Sequence, residues 1–205
     1  KFRHSNANYN IDRETNSIYK GIGAVKYCNA DVGDTLYTMK DMQFKTFFDM
    51  LKVFPGNSRQ REILIKLGYF EEFGGSAKLL KICDFYDNYY GKKIVKKDKL
   101  TFPVELVQKY ALSETEKQYR FNPETMEALL GKVIDGIPNE DLPLRERLDA
   151  EREYLGYISY KKNGKEYSKA KGNIKSYYDV MTMTSSSYNW KKNWNKKALT
   201  PVKAD

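Results

Sequence analysis

Apolar residues recur at helical spacing through the first 91 residues, and polar turn residues separate the runs. Val32, Leu36 and Met39 lie at i, i+4 and i+7 behind Asn29, a residue type that caps helix N-termini. The same reasoning predicts four short helices, at 29–40, 41–55, 57–68 and 76–91. Together they predict one small helical domain over residues 1–91.

Capping residues and apolar faces in the sequence favour the prediction of these four helices. Asn57 and Gln60 are spaced as a capping pair for the third helix, and Gly68 is expected to end it in the left-handed conformation. Asp41 is expected to cap the second helix. The apolar residues of that helix fall on one face, which is typical of a buried core: Phe44, Phe47, Phe48 and Leu51.

The pattern changes at residues 92–99, where five of the eight residues are lysine. We expect an exposed linker or charged loop there. Helical spacing then returns, and Ser113 with Glu116 is spaced as a capping box. Further helices are predicted from Pro103 to Tyr110, from Pro123 to Gly131 and from Leu144 to Tyr160. Residues 92–160 are therefore expected to be a helical connecting region.

Positive charge is concentrated at the end of the sequence. The chain has 36 basic and 27 acidic residues, and residues 161–205 hold 11 lysines and three acids, so residues 1–160 are almost neutral. This basic tail lacks a helical period, although Tyr177–Thr184 is rich in strand-forming residues. A polyanionic partner is the first expectation.

Several classes of protein lack support in the sequence. No apolar run is long enough to span a bilayer, so we expect a cytoplasmic protein without a membrane partner. Cys28 and Cys83 are far apart and are expected to be isolated thiols. Carboxylate pairs such as Glu71-Glu72 are expected at turns and helix ends. The sequence thus predicts no catalytic residue, metal site or cofactor, and a chain that starts at Lys1 is expected to be a piece of a longer protein.

Two turns before helices offer backbone N–H groups and a positive helix dipole to a phosphate. One spans Lys26 to Asp31, where Asn29 is expected to adopt the left-handed conformation and to cap the next helix. The other spans Gly74 to Lys78, and the start of the third helix is a weaker case. Ordinary capping is the alternative interpretation of each. The candidate DNA-binding residues are Lys26, Asn29, Ser58, Arg59, Gly74, Gly75, Ser76 and Lys78.

Several segments in order resemble one known family. They are IYKGIGAVKYCNADVGDTLY (18–37), NSRQREILIKLGYFEEFG (57–74), AKLL (77–80) and LDAEREYLGYISY (148–160). These strings resemble the alpha subunit of bacterial DNA polymerase III, the C-family replicative polymerase, where the fingers run into the helix-hairpin-helix domain. FRHSNANY (2–9) and SETEKQYRF (113–121) also resemble clostridial or phage members.

The resemblance implies a mainly α fold, with tandem helix-hairpin-helix units, a second helical segment and a basic tail that opens an OB fold or is disordered. It implies that the chain grips duplex DNA through backbone phosphates as a non-catalytic segment of a DNA-directed DNA polymerase, a nucleotidyltransferase of DNA replication. The metal-binding aspartates of that family lie upstream, so Mg²⁺ belongs to the parent polymerase. The sliding clamp and other replisome subunits are implied partners through the parent chain.

The sequence departs from the family at Tyr27-Cys28-Asn29, where many members carry Gly-Val-Gly, and no clamp-binding motif can be assigned at Gln108 or Gln118. Two other functions stay open. One is a protein scaffold, in which the aromatic helices dock a partner and the tail is solvated. The other is a single-stranded nucleic-acid or RNA binder that stacks bases on Tyr188, Trp190 and Trp194.

Overall fold

A computed structural model of the chain describes residues 1–14 and 16–158, together with the backbone of two strands at 188–193 and 198–203. The chain divides into two units, Lys1–Ile158 and Ser159–Asp205. The described helices of the first unit are α1 (Ala30–Thr38), α2 (Phe47–Leu51), α3 (Ser58–Lys66), α4 (Ser76–Tyr89), α5 (Val104–Tyr110), α6 (Pro123–Asp135) and α7 (Leu144–Leu155). Its strands are β1 (Asn10–Asp12), β2 (Ser17–Tyr19), β3 (Ile94–Lys96), β4 (Ser113–Glu114) and β5 (Gln118–Arg120). The mainly α fold class is confirmed.

Local capping chemistry explains where the early helices begin and end. Asn57 and Gln60 form the predicted capping box of α3, and Gly68 has the predicted left-handed conformation, with φ +69°. The predicted start of α2 at Asp41 is wrong. Thr46 caps that helix instead, because its hydroxyl accepts the Asp49 N–H while the Asp49 carboxylate accepts the Thr46 N–H.

The core of the first unit is rich in aromatic side chains. Phe2 is almost fully buried, and its ring packs against Phe70 with a centroid distance of 5.6 Å. Phe47 and Phe48, on the predicted apolar face of α2, are also buried. These aromatic residues therefore stabilise the unit from inside, since each fully buried ring removes a large apolar area from water.

The prediction of an exposed linker or charged loop at residues 92–99 is wrong. Ile94–Lys96 forms β3, which pairs with one edge of β5, and β4 pairs with the other edge of β5. Val95 and Tyr119 face each other across the ladder and are buried, whereas Ile94 and Lys96 on either side of Val95 are exposed. One buried residue with exposed neighbours is enough for this short strand. The predicted capping box at Ser113 is also wrong, because Ser113–Glu114 is β4.

Two helix ends differ from the prediction. Helix α6 continues through Gly131 to Asp135, because Leu130 and Ile134 on either side of the glycine are buried in the core. Helix α7 ends at Leu155 rather than at Tyr160, because Gly156 adopts the left-handed conformation with φ +79°. Core packing thus carries α6 past a glycine, whereas a single left-handed glycine ends α7.

The second unit contains β6 (Tyr188–Asn193) and β7 (Ala198–Lys203), which pair antiparallel with Tyr188 opposite Lys203. The predicted strand at Tyr177–Thr184 lies outside the described residues. Most of the tail 161–205 also lies outside the described residues. That this tail opens an OB fold or is disordered therefore stays a prediction. None of the described helices combines the length and the apolar composition that a bilayer crossing requires.

Candidate nucleic-acid interface

The turn before α1 is tightly folded by local hydrogen bonds. A short 3-10 turn at Ile22–Ala24 leads into it, and the Cys28 N–H donates to the Val25 carbonyl at 3.0 Å. Tyr27 has the left-handed conformation, with φ +68°. Asn29 was expected there, but its φ is −110°, so that prediction is wrong. The turn therefore projects the Tyr27 side chain at its tip.

Helix α3 braces this turn. The Gln60 side-chain amide donates to the Tyr27 carbonyl at 3.4 Å and to Asn29 Oδ1 at 3.1 Å. The Asn29 side chain makes this contact and forms no capping hydrogen bond to α1, although Asn29 occupies the N-cap position. The structure thereby brings Lys26 and Asn29 together with the start of α3, which carries Ser58 and Arg59.

Two cations lie at the braced turn. The Arg59 guanidinium is 3.9 Å from the centre of the Tyr27 ring, and Lys26 Nζ is 4.9 Å from it. Both residues are exposed. No salt bridge joins either of them to a carboxylate among the residues that the structure describes. Their charge is therefore available to an external anion.

The N-terminus of α1 is open. Within residues 1–14 and 16–158, no hydrogen-bond partner is found for the backbone N–H groups of Asn29, Ala30 and Asp31. Unpaired N–H groups and the positive end of the helix dipole favour a bound anion at such a position. The Asp31 carboxylate, in the first turn of α1, opposes an anion there.

The N-terminus of α4 is closed by the chain itself. The Gly75 N–H donates to Asn139 Oδ1 at 2.8 Å, and the Ser76 N–H donates to Asp141 Oδ1 at 3.0 Å. The N–H groups of Ala77 and Lys78 both donate to the Glu140 carbonyl, at 3.1 and 3.2 Å. The Asp141 carboxylate therefore occupies the place that was expected for a phosphate.

Gly75 shows how closely the 139–141 segment approaches the start of α4. A Cβ on Gly75 would lie 2.3 Å from the Glu140 carbonyl oxygen, so only glycine allows the contact. The Gly74 to Lys78 turn was predicted from local sequence, whereas its partners lie more than 60 positions away. No local signal in the sequence identifies Asn139, Glu140 and Asp141 as those partners.

Helix α7 also contacts the open turn. The Tyr154 carbonyl accepts the Lys26 N–H at 3.0 Å, and the rings of Tyr154 and Tyr27 meet edge to face at 6.4 Å. A groove of about 320 Å³ separates the 23–26 segment from residues 153–156. Sequence reasoning missed this role of Tyr154, which lies in the predicted helix from Leu144 to Tyr160 and in the 148–160 string.

Cys28 is the thiol that lies within this turn. Burial raises the pKa of the Cys28 thiol to about 11, so the thiol is neutral near pH 7. Cys28 and Cys83 are both free thiols, as predicted. Within the part of the chain that the structure describes, no group of three or more His, Cys, Asp or Glu residues is placed to hold a metal ion.

Comparison with known proteins agrees with this geometry. Residues 2–80 match the family model of the helix-hairpin-helix motif. This motif indicates nucleic-acid binding as the class of function. The match includes both turns, but Tyr154 and the 139–141 segment, which contact those turns, come from outside it. No curated protein and no solved structure matches the chain.

Proposed function

We propose that this chain binds duplex DNA through backbone phosphates, and that the turn at 26–29 and the start of α1 are the main contact. The observation that carries this proposal is the difference between the two helix starts. The α1 start has N–H groups without described partners and two unpaired cations beside it, whereas the α4 start is filled by Asp141. Lys26, Asn29, Ser58 and Arg59 are the residues assigned to this contact.

Contacts of this kind fix the position of a protein on DNA without reading its sequence. Each phosphate that is neutralised contributes a slope of about −0.9 to the plot of log affinity against log salt. Residues 1–160 are almost neutral in total. A local arrangement of N–H groups and cations must therefore supply the attraction within the first unit.

The finer proposal is a non-catalytic segment of a C-family replicative polymerase that holds the duplex behind the active site. The order of the resembling strings along residues 1–160 supports it. A cytoplasmic location, the clamp and the other replisome subunits belong to this proposal. So does Mg²⁺, for which the described residues provide no fitting set of donors, and which would bind elsewhere in the parent chain.

The scaffold alternative has less support. Aromatic side chains that would dock a partner, such as Phe47, Phe48 and Phe70, are buried in the core. The single-strand alternative depends on Tyr188 and Trp190, of which the structure describes the backbone alone, and on Trp194, which lies outside the described residues. Neither alternative is favoured by a specific contact.

Fluorescence anisotropy of the full chain with a labelled duplex of about two helical turns tests the proposal. Lys26→Glu should weaken duplex binding by about fivefold or more, because it places a carboxylate beside the phosphate; this corresponds to about 1 kcal/mol. Lys78→Glu is the matched control, since it makes the same charge change at the closed turn, and it should alter binding by less than about twofold.

Circular dichroism of both variants checks that they are folded. Equal losses in the two variants would assign binding to overall charge rather than to the α1 start. Absence of duplex binding by the full chain, or binding that Lys26→Glu leaves unchanged, would overturn the proposal. A single strand of the same length, bound more tightly than the duplex, would favour the single-strand alternative.

A further inference from the structure

Tyr27 combines two features that a purely structural tyrosine does not need. Its φ of +68° is a conformation that disfavours side chains with a Cβ, so glycine would fit this backbone at lower cost. Its residue surface is also 45% exposed, whereas the core residues Tyr69 and Tyr119 are 5% and 2% exposed. The chain thus holds an aromatic ring at the tip of a turn where packing does not require one.

The ring is held in a defined place. The Gln60 amide fixes the Tyr27 carbonyl, and the Tyr154 ring meets the Tyr27 ring edge to face at 6.4 Å. The Arg59 guanidinium lies 3.9 Å from the ring centre, which is within the range of a cation–π contact. Ring and guanidinium together form a fixed platform, and Lys26 Nζ lies 4.9 Å from the ring centre.

A nucleobase suits this platform. Bases stack on aromatic rings and on arginine planes, and the neighbouring cations attract the attached phosphates. Inside a duplex both faces of a base are covered by its neighbours, so only an unpaired base has a free face to offer. The open N–H groups of Asn29, Ala30 and Asp31 lie two to four positions after Tyr27 in the chain and would hold a phosphate next to that base.

We propose that Tyr27, with Arg59, is a stacking site for an unpaired base beside a duplex, so that the chain prefers a duplex with a single-stranded extension to a blunt duplex. This inference rests on the proposed function, because the duplex is held by the contact described above. Stacking one base on an aromatic side chain typically changes affinity by about 5- to 100-fold. Tyr27 is thereby a specificity-determining residue of the interface.

The test measures affinity of the full chain for three labelled ligands by anisotropy at one salt concentration. They are a blunt duplex, the same duplex with an extension of about five nucleotides, and the same duplex with an extension of equal length made of abasic sites. The abasic extension has the same phosphates without bases. The ratio of the affinities for the base-containing and abasic extensions therefore isolates stacking from charge.

The wild-type ratio is expected to be about five or more. Tyr27→Gly relieves the backbone and removes the ring, so it should lower the ratio to about one. Because the ratio compares two extensions in the same variant, a change in the phosphate contact affects both affinities and cancels. Tyr27→Asn, which also tolerates this φ and lacks a ring, should behave in the same way. Tyr27→Phe should keep the wild-type ratio. Thermal melts establish that each variant is folded.

A wild-type ratio near one would overturn the inference, and so would a ratio that both Tyr27→Gly and Tyr27→Asn leave unchanged. The blunt duplex tests the proposed function separately. That function fails if the blunt duplex does not bind, or if Lys26→Glu does not weaken its binding. A blunt duplex that binds and responds to Lys26→Glu, with no effect of Tyr27 on the ratio, would leave the proposed function in place and exclude the stacking site.

Discussion

Asp31 shows how a single residue serves the free protein and opposes its proposed ligand. Its carboxylate lies in the first turn of α1, where it interacts favourably with the helix dipole. The N–H groups of the same turn are those that we assign to a phosphate. When the site is empty the carboxylate stabilises the helix, and when a phosphate is bound the two negative charges repel each other.

Asp31→Asn should therefore strengthen duplex binding and slightly weaken the fold. We expect an increase in affinity of about two- to fivefold, and a loss of about 0.5 kcal/mol in the free energy of unfolding. Anisotropy at about 50 and 200 mM salt and a urea titration measure the two effects. Asp98→Asn, an exposed aspartate after β3, is the control with the same charge change. An equal increase in both variants would contradict the assignment.

At the scale of elements, the start of α4 is a joint between distant parts of the sequence. The Asp141 carboxylate accepts the N–H and the hydroxyl of Ser76, at 3.0 and 3.2 Å, and Ser76 Oγ accepts the Leu142 N–H. Arg147 lies 3.6 Å from the same carboxylate. These contacts cap α4 and fix the loop between α6 and α7 to it.

Asp141→Ala should destabilise the first unit without weakening DNA binding. Loss of a helix cap costs about 0.5 to 2 kcal/mol, and Ser76 then has an unpaired N–H. Urea unfolding followed by circular dichroism measures the loss. Asp84→Ala, on the exposed side of α4, is the control and should change stability by less than about 0.5 kcal/mol. A marked loss of duplex affinity in a folded Asp141→Ala protein would show that the closed start contributes to binding.

At the scale of the whole molecule, most of the net positive charge lies outside the unit that contains the open turn. Residues 161–205 carry a net charge of +8, whereas the open turn lies in the nearly neutral unit Lys1–Ile158. The basic tail attracts any polyanion at long range. Our proposal places the specific phosphate contact in the first unit.

A chain that ends at Ile158 should keep duplex binding and its sensitivity to Lys26→Glu. The plot of log affinity against log salt should become less steep, because fewer counterions are released when the tail is absent. Cooperative thermal unfolding would establish that the shortened chain is folded. Complete loss of duplex binding in a folded shortened chain would assign binding to the tail and would contradict the proposal.

Much of the helical architecture follows from the sequence, because capping and periodicity depend on residues within about four positions of one another. Asn57 with Gln60 and the stop at Gly68 are examples. The three-stranded sheet at 94–120 was missed for the opposite reason. Each of its strands has two or three residues, and such a short strand exists only because a distant strand pairs with it.

The candidate site divides in the same way. The sequence by itself determined that helices start after 29 and after 75, and that lysines lie nearby. Only the tertiary structure decided that Asp141 closes the second start, that Gln60 and Tyr154 brace the first, and that Tyr27 is left-handed at its tip. The physical reason is that a helix start forms from local backbone geometry. Whether its N–H groups remain free for a ligand depends on which distant segments pack against it.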